Sequence, residues 1–291
     1  MSLSDPDLMP MRTGEIRLHG PEGFDGMRRA GRLVAECLDM LVGEVNPGVT
    51  TARLDDLIRQ FIFDHGAVSA TIGYRGYRHA SCISLNHVIC HGIPGPRVLK
   101  DGDIMNIDVT LIVDGWHGDH SRMYAAGTPK RKAERLMELT YQALMDGIAA
   151  IRPGAHLGDI GAAIAAIARK NRLAVVEDFC GHGLGRLFHD EPNVVHTAKP
   201  GTGHVLKPGM FFTVEPMLNL GRKDAAILSD GWTAVTRDRQ LSAQFEHSVG
   251  VTEDGVEIFT ASPAGYHMPH TVGADTLGAQ IPGAQNLGAK G

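Results

Sequence analysis

The sequence predicts an α+β fold made of two related halves, and a repeated order of elements carries this prediction. Helix, break, helix and strand follow one another twice, at residues 24–75 and 130–180, and the breaks read "NPGVT" and "RPGAH". Self-similarity of this kind indicates two copies of one structural unit. Apolar segments elsewhere in the chain show the composition of buried strands, so they are expected to supply the sheet.

Four helices are predicted from apolar residues at helical spacing. The first two cover residues 24–45 and 50–66, where Thr50 or Thr51 can act as an N-cap and Gly66 can close the second helix. The other two cover residues 130–151 and 157–171.

The two ends of the chain differ in composition from its centre. Residues 1–20 lack apolar periodicity and are expected to form an N-terminal arm. Residues 261–291 are rich in Gly and Ala and are expected to form a flexible tail. The sequence thus predicts one folded domain over residues 21–260, between the arm and the tail.

The composition argues against several classes of protein. A formal net charge of -5 gives no reason to expect DNA or an anionic membrane as a partner. The longest apolar stretches are too short to span a bilayer, and the N-terminus does not resemble a secretory signal. The 4 cysteines form no Cys-x-x-Cys pair and no disulfide framework, so a reducing, cytoplasmic location is expected.

The segment "NIDVTLIVDGWHGDHSRMY" contains two carboxylates in an apolar setting. Asp114 and Gly115 predict a hairpin with a type I′ turn, which needs positive φ at both central residues. With these two residues as the loop, Thr110 faces Asp119, and Asp108 becomes a diagonal neighbour of Asp119 on one face. The two acids would repel each other unless a cation lay between them. Alternatively, Asp119 is solvated and only Asp108 is unusual.

Two further acids lie in apolar segments, Glu215 in "MFFTVEPML" and Glu246 in "SAQFEHSVGV". Burial of an unpaired carboxylate is costly, and hydrogen bonding explains one such residue more readily than four. With His182, the candidate metal ligands number five. Two divalent cations would cancel the four negative charges, and the oxygen-rich set suits Mn²⁺, Fe²⁺ or Co²⁺, with Zn²⁺ as a further candidate.

The glycine-rich stretch "GHGLGRLFHDEP" around His182 does not fit a dinucleotide-binding loop. A G-x-G-x-x-G pattern that starts at Gly183 would need a third glycine where the chain has Phe188. The glycines instead allow a non-helical backbone to bring the His182 ring close to the carboxylates.

Several motifs resemble those of type I methionine aminopeptidases, which are pita-bread metallopeptidases. They are "CISLNHVICHGIP", "DGDIMNIDVTLIVDGWHGDHSRMY", "CGHGLGRLFHDEPNVVH", "LKPGMFFTVEPM" and "SDGWTAVTRDRQLSAQFEH", and the resemblance covers residues 20–260. It implies a pita-bread fold, in which two pseudo-symmetric α/β halves form a curved antiparallel sheet covered by helices.

The resemblance also implies roles for individual residues. The family's metal ligands correspond to Asp108, Asp119, His182, Glu215 and Glu246. The implied catalytic residues are His91, His189 and Glu215, of which the two histidines also contact the substrate. The implied methionine pocket consists of Tyr74, Tyr77, Cys82, Phe188 and Trp232, although Trp232 also fits a packing role. A monovalent cation, Na⁺ or K⁺, is implied at Asn86, Val88 and Ser242.

The activity implied by the resemblance is metal-dependent removal of the initiator methionine when the second residue is small, by attack of a metal-activated water. The expected partners are nascent polypeptide N-termini, and transient association with the ribosome would suit that substrate. The chain is expected to be a monomer that binds neither DNA nor a membrane.

Two other functions are alternatives. An Xaa-Pro aminopeptidase has the same fold, but the sequence lacks the extra N-terminal domain that is common in that branch. A non-catalytic pita-bread binding module is the second alternative. Such modules have typically lost metal ligands, whereas all five are present in this sequence.

Overall fold

The computed structural model of the chain describes residues 14–266. The α-helices in this range are α1 (Pro21–Met40), α2 (Thr51–Asp64), α3 (Arg131–Ala149) and α4 (Leu157–Lys170), and short 3₁₀ helices cover Leu41–Gly43 and Tyr74–Gly76. The strands are β1 (Val68–Ser69), β2 (Cys82–Leu85), β3 (Val88–Cys90), β4 (Asp103–Val113), β5 (Trp116–Ala126), β6 (Ala174–Val175), β7 (Gly181–Gly183), β8 (Asp190–Val194), β9 (Phe211–Val214), β10 (Met217–Asn219), β11 (Ala225–Ile227), β12 (Ala234–Thr236), β13 (Ser242–Gln244), β14 (His247–Val251) and β15 (Val256–Ile258).

The four predicted helices are confirmed, with small shifts at their ends. Pro21 opens α1, where the missing N–H of proline leaves no hydrogen bond unmade. Thr50 is the N-cap of α2, and its hydroxyl oxygen accepts a hydrogen bond from Arg53 N at 3.2 Å. Gly66, with a φ of +66°, lies just beyond the end of this helix. The helix boundaries therefore follow from local sequence.

The two halves repeat their backbone pairing as well as the order of their elements. Thr50, before α2, forms an isolated antiparallel bridge with Val98, and His156, before α4, forms the corresponding bridge with Val205. Both valines begin a segment that reads Val-Leu-Lys-x-Gly. The repeat in the sequence is therefore also a repeat in the structure, which confirms the prediction of two related halves.

Strands β4 and β5 form the predicted hairpin in the predicted register. Asp114 and Gly115 make the turn with φ values of +49° and +77°, and Thr110 pairs with Asp119. Side chains alternate between the faces of a strand, so Asp108 and Asp119 lie on the same face.

All strand pairs among the described residues are antiparallel, and they form four sheets. One sheet contains β1, β2, β4 and β5, the largest has the order β15-β14-β9-β7-β8, and the smaller two are β13-β10-β6 and β11-β12-β3. Glu246 N donates to Ser121 O at 3.0 Å, and Ser248 Oγ donates to Asp119 O at 2.6 Å. These two hydrogen bonds join the hairpin to the largest sheet, and we call this junction the seam.

Each half has its own apolar core beneath its helices. Leu38 of α1 shares one buried cluster with Ile107 and Val109 of β4, and Leu144 of α3 shares another with Phe212 of β9. Since Ile107 and Val109 face the helices, alternation along β4 directs the intervening Asp108 to the other face of the sheet. The helices thus cover one side of the sheet and leave the acidic residues on the other.

Parts of the predicted arm and tail lie against the domain. The His19 ring stacks on Phe211, with 4.4 Å between ring centroids. Ser262 Oγ donates to Asp39 Oδ1 of α1 at 2.8 Å. Residues 1–13 of the predicted arm and 267–291 of the predicted tail lie outside the described residues. None of the helices within residues 14–266 combines the length and apolar composition needed to cross a membrane.

Gly118 of β5 lies directly beneath α1, where a side chain would collide with the helix backbone. A Cβ atom at Gly118 would lie 2.3 Å from Ala30 O. We therefore expect Gly118→Ala to lower the free energy of unfolding by about 2 kcal/mol, as measured by chemical denaturation. Gly43→Ala is the matched control, because nothing lies within 4 Å of a Cβ atom there. Equal stability of the two variants would contradict this packing argument.

Candidate metal centre and active site

The five candidate ligands come from five separate segments that meet beside the seam. Asp108 lies on β4, Asp119 on β5 and His182 on β7, while Glu215 directly follows β9 and Glu246 directly precedes β14. Asp119, His182 and Glu246 present ligand atoms that all lie within 4.8 Å of one another. His182 Nε2 lies 3.5 Å from Asp119 Oδ2 and 3.8 Å from Glu215 Oε1. Asp108 is close enough for its charge to perturb the other three acids.

The acids of this group are largely shielded from water, and this raises their pKa values. Asp119 and Glu246 are each 3% exposed, whereas Asp108 and Glu215 keep some contact with solvent. Burial raises the pKa of Asp108 to about 7. Burial, and then the charge of Asp108, raises the pKa of Asp119 well above its usual value. Burial and the neighbouring carboxylates likewise raise the pKa values of Glu215 and Glu246. Divalent cations fit this group, because they would replace the mutual repulsion with attraction.

Two glycines flank His182 because the neighbouring strands leave no room for side chains. A Cβ atom at Gly181 would lie 2.3 Å from the backbone of β9, and one at Gly183 would lie 2.0 Å from the backbone after Asp190. His182 Nδ1 donates to Gly183 O at 3.1 Å. This bond leaves the unprotonated Nε2 on the side of the carboxylates, as a metal ligand requires.

Two threonines orient the acids, although neither was among the predicted site residues. Thr110 Oγ1 donates to Asp119 Oδ1 at 2.7 Å, and Thr213 Oγ1 donates to Glu215 Oε1 at 2.8 Å. Thr110 is paired with Asp119 across the predicted hairpin, and Thr213 lies two residues before Glu215. Strand register and alternation were therefore sufficient signals to find both.

Gln244 and His196 also hold Glu215, and sequence spacing gave no signal for either. Gln244 Nε2 donates to Glu215 Oε2 at 3.3 Å, and Glu215 N donates to His196 Nε2 at 3.1 Å. Burial lowers the pKa of His196 to about 3, so the ring is neutral and able to accept this bond. Both the carboxylate and the backbone of Glu215 are thereby fixed.

One group of predicted substrate residues lies beside His182. The ring centroids of Tyr74 and Phe188 are 5.1 Å apart, and those of Phe188 and His189 are 4.1 Å apart. The hydroxyl of Tyr74 lies 3.1 Å from His189 Nδ1. The His189 ring in turn lies 4.2 Å from the ring of His182.

The remaining predicted substrate residues form a second group, on the β2 and β3 side. The Tyr77 and Trp232 rings are 4.9 Å apart, and the His91 and Trp232 rings are 6.4 Å apart. Cys82 pairs with Asp108 in the register of β2 and β4. The seven predicted substrate residues therefore lie in two groups. His189 brings the first group next to His182, and Cys82 brings the second group next to Asp108.

Asn86 and Ser242, two of the three residues predicted at a monovalent cation, are in direct contact. Ser242 N donates to Asn86 O at 2.9 Å. Ser242 Oγ is buried and has no hydrogen-bond partner among residues 14–266. Val88, the third residue, begins β3 two positions after Asn86. A group bound at this hydroxyl would supply the partner that it lacks.

His120 stands apart from the acidic group, because alternation along β5 turns its side chain to the face opposite Asp119. Its Nδ1 donates to the carbonyl oxygen of Glu246, and its ring stacks on His247 at 4.7 Å. It supports the backbone of Glu246 from the opposite face.

A buried cluster of acids and one histidine, formed between two related α/β halves, can hold the divalent ions of a metal-dependent hydrolase. The sequence profile described as "Metallopeptidase family M24" matches residues 25–253. The chain therefore belongs to metallopeptidase family M24.

Similar proteins agree with this assignment. A methionine aminopeptidase from Rickettsia prowazekii is 53% identical to this chain over 255 residues, which are 87% of this chain and 98% of that protein. A crystal structure of methionine aminopeptidase from the same organism has a TM-score of 0.84 at 53% identity and covers 84% of this chain and 100% of its own. These similarities confirm the resemblance to type I methionine aminopeptidases and the pita-bread fold.

A solved X-Pro aminopeptidase from Thermotoga maritima is more distant. It has a TM-score of 0.66 at 17% identity, and the match covers 84% of this chain and 62% of that one. At this level of identity the likeness extends to the fold alone.

The raised pKa values of the acids predict that the metal-free protein loses stability as the pH rises. In this protein the folded state binds protons more tightly than the unfolded state, so stability falls as the pH rises through the folded-state pKa values. We expect the melting temperature in the presence of a chelator to fall from about pH 7 to about pH 8.5, a range above the titration of unfolded histidines.

Glu246→Gln is the matched control for this experiment, since it keeps the shape of the side chain and removes one titrating group. Its melting temperature should fall less steeply over the same range, and added Mn²⁺ should raise the melting temperature of the unsubstituted protein most at the higher pH. Identical slopes for the two proteins would contradict the electrostatic interpretation.

Proposed function

We propose that this chain is a metal-dependent aminopeptidase that removes the N-terminal methionine from newly made proteins whose second residue is small. The convergence of four acids and His182 beside two groups of aromatic side chains carries this proposal. The 53% identity to a methionine aminopeptidase supports the choice of methionine over an X-Pro substrate.

In this proposal Asp108, Asp119, His182, Glu215 and Glu246 hold two divalent ions. Their four carboxylates balance two double positive charges, and the oxygen-rich set suits Mn²⁺, Fe²⁺ or Co²⁺, with Zn²⁺ as a further candidate. Such ions, when bound, polarise the substrate carbonyl and make a water molecule nucleophilic near neutral pH.

Glu215 is the group that we assign to proton transfer. It accepts a proton as water attacks the carbonyl carbon, and it gives that proton to the amine as the peptide bond breaks. A carboxylate can hold the proton between these two events. The bonds from Thr213 and Gln244 keep it in position meanwhile.

His189 and His91 act on the substrate backbone. The Tyr74 hydroxyl lies 3.1 Å from His189 Nδ1, and in this proposal it donates to that nitrogen, which places the ring N–H on Nε2. This N–H stabilises the negative charge that develops on the carbonyl oxygen. His91 binds the peptide beyond the scissile bond.

The methionine side chain is assigned to Tyr74, Tyr77, Cys82, Phe188 and Trp232. Flat aromatic walls and a thiol suit an unbranched, polarisable thioether. Binding of the free α-amine near Asp108 would restrict the reaction to the first residue, because an internal residue has no such amine.

Other parts of the proposal concern ions and cellular context. A Na⁺ or K⁺ ion is assigned to Asn86, Val88 and Ser242, where the buried Ser242 hydroxyl supports it. We also propose that the chain works as a monomer in the cytoplasm on nascent polypeptides, with transient contact to the ribosome.

Peptide hydrolysis after metal removal tests the proposed function. Chelated protein should not cleave Met-Ala-Ser, and stepwise addition of Mn²⁺, Co²⁺ or Fe²⁺ should restore methionine release because the ions activate the attacking water. The number of ions needed for full activity reports the occupancy. Faster cleavage of an X-Pro peptide than of Met-Ala-Ser would refute the methionine assignment.

Removal of one candidate ligand tests the site. We expect Glu246→Ala to lower turnover by more than about a hundredfold and to weaken Mn²⁺ binding in calorimetry, because even residues behind the ligands contribute 10–100-fold at such sites. Glu253→Ala, at an exposed position, is the matched control. Retained turnover in a folded Glu246→Ala protein would refute the ligand assignment.

A further inference from the structure

The loop of residues 184–189 carries Phe188 and His189 between β7 and β8. It is anchored to the hairpin at Gly185 and also at Arg186, whose guanidinium donates to Asp114 O at 2.6 Å. The backbone N–H of His117 donates to Gly185 O at 2.9 Å, and His117 Nδ1 donates to the same oxygen at 3.0 Å. The Phe188 ring also stacks against the ring of His117, with 5.8 Å between centroids.

A second element, residues 15–20, lies against the same loop, and we call it the N-terminal strap. His19 N donates to Gly209 O at 2.8 Å, and the His19 ring is stacked on Phe211 and edge-on to Trp116. A Cβ atom at Gly185 would lie only 3.2 Å from His19 Nε2. The strap and the loop are therefore in close contact.

An ion pair ties the strap to the residue after His189. Arg17 Nε lies 3.0 Å from Asp190 Oδ2, and the side chain of Asp190 is only 6% exposed. The other carboxylate oxygen, Oδ1, has no hydrogen-bond partner within residues 14–266. A buried carboxylate without a counter-charge is strongly destabilised, so Asp190 depends on Arg17.

We propose that the N-terminal strap positions His189, with Arg17 acting through Asp190 and His19 acting through Gly185. This inference rests on the proposed function, since it gives His189 its role toward the substrate. Arg17 is a positioning residue: it touches a neighbour of His189, whereas the acidic group is oriented by other side chains, Thr110, Thr213 and Gln244. Its effect on the reaction is therefore separable from metal binding.

Arg17→Ala tests the proposal, with Arg32→Ala as the matched control. Arg32 forms an exposed ion pair with Glu36 on α1, so its removal also deletes one arginine and one ion pair. We expect Arg17→Ala to lower kcat for Met-Ala-Ser about tenfold, because a small misplacement of a group that acts in the transition state reduces the rate. The KM should change less than about twofold.

Three further measurements separate positioning from a loss of structure. The Mn²⁺ affinity of Arg17→Ala should equal that of the unsubstituted protein in calorimetry. Amide hydrogen exchange should become faster at residues 184–190. Arg17→Lys, which keeps the positive charge, should recover most of kcat. If Arg17→Ala does not fold, the Arg17→Ala/Asp190→Asn double variant removes both charges and should show the same loss of kcat.

Two results would overturn the proposal: a kcat equal to that of Arg32→Ala, or a parallel loss of kcat and Mn²⁺ affinity. If the unsubstituted, metal-loaded protein does not cleave Met-Ala-Ser, the proposed function fails separately. Amide exchange then decides alone: faster exchange at residues 184–190 in Arg17→Ala supports the strap as a positioning element, and unchanged exchange refutes it.

Discussion

The structure depends on one constraint, which is that four carboxylates must stay close together and largely shielded from water. Their mutual repulsion and their burial both oppose ionisation, as the raised pKa values of Asp108 and Asp119 show. Hydrogen bonds from Thr110, Thr213 and Gln244 offset part of this cost and fix the directions of the oxygens. Bound cations can offset the remaining cost. The chemistry of the site and the stability of the fold therefore depend on the same buried carboxylates.

The two related halves provide the rigidity that this constraint demands. The hairpin contributes Asp108 and Asp119, and the second half contributes His182, Glu215 and Glu246, each on or directly beside a strand. The seam bonds join main chain to main chain and hydroxyl to main chain, so they do not depend on the charge of the acids. Ligands carried by paired strands keep their spacing better than ligands carried by free loops.

Short-range sequence features made the hairpin and the helices predictable. The Asp114-Gly115 turn set the register of the hairpin, and that register placed Thr110 opposite Asp119. The helices followed from apolar spacing and from the N-cap at Thr50. Contacts such as Tyr74 with His189, or His196 with Glu215, join segments with no shared periodicity. Only the folded chain brings these pairs together.

The wide spacing of the five candidate ligand residues along the sequence has a consequence for biogenesis. A chain still emerging during translation has the Asp108 and Asp119 hairpin long before it has Glu246, so its candidate metal site is incomplete. Contacts between such distant segments form late, because loop closure must precede them. A cation site built from these residues is therefore complete only after both halves of the chain have folded.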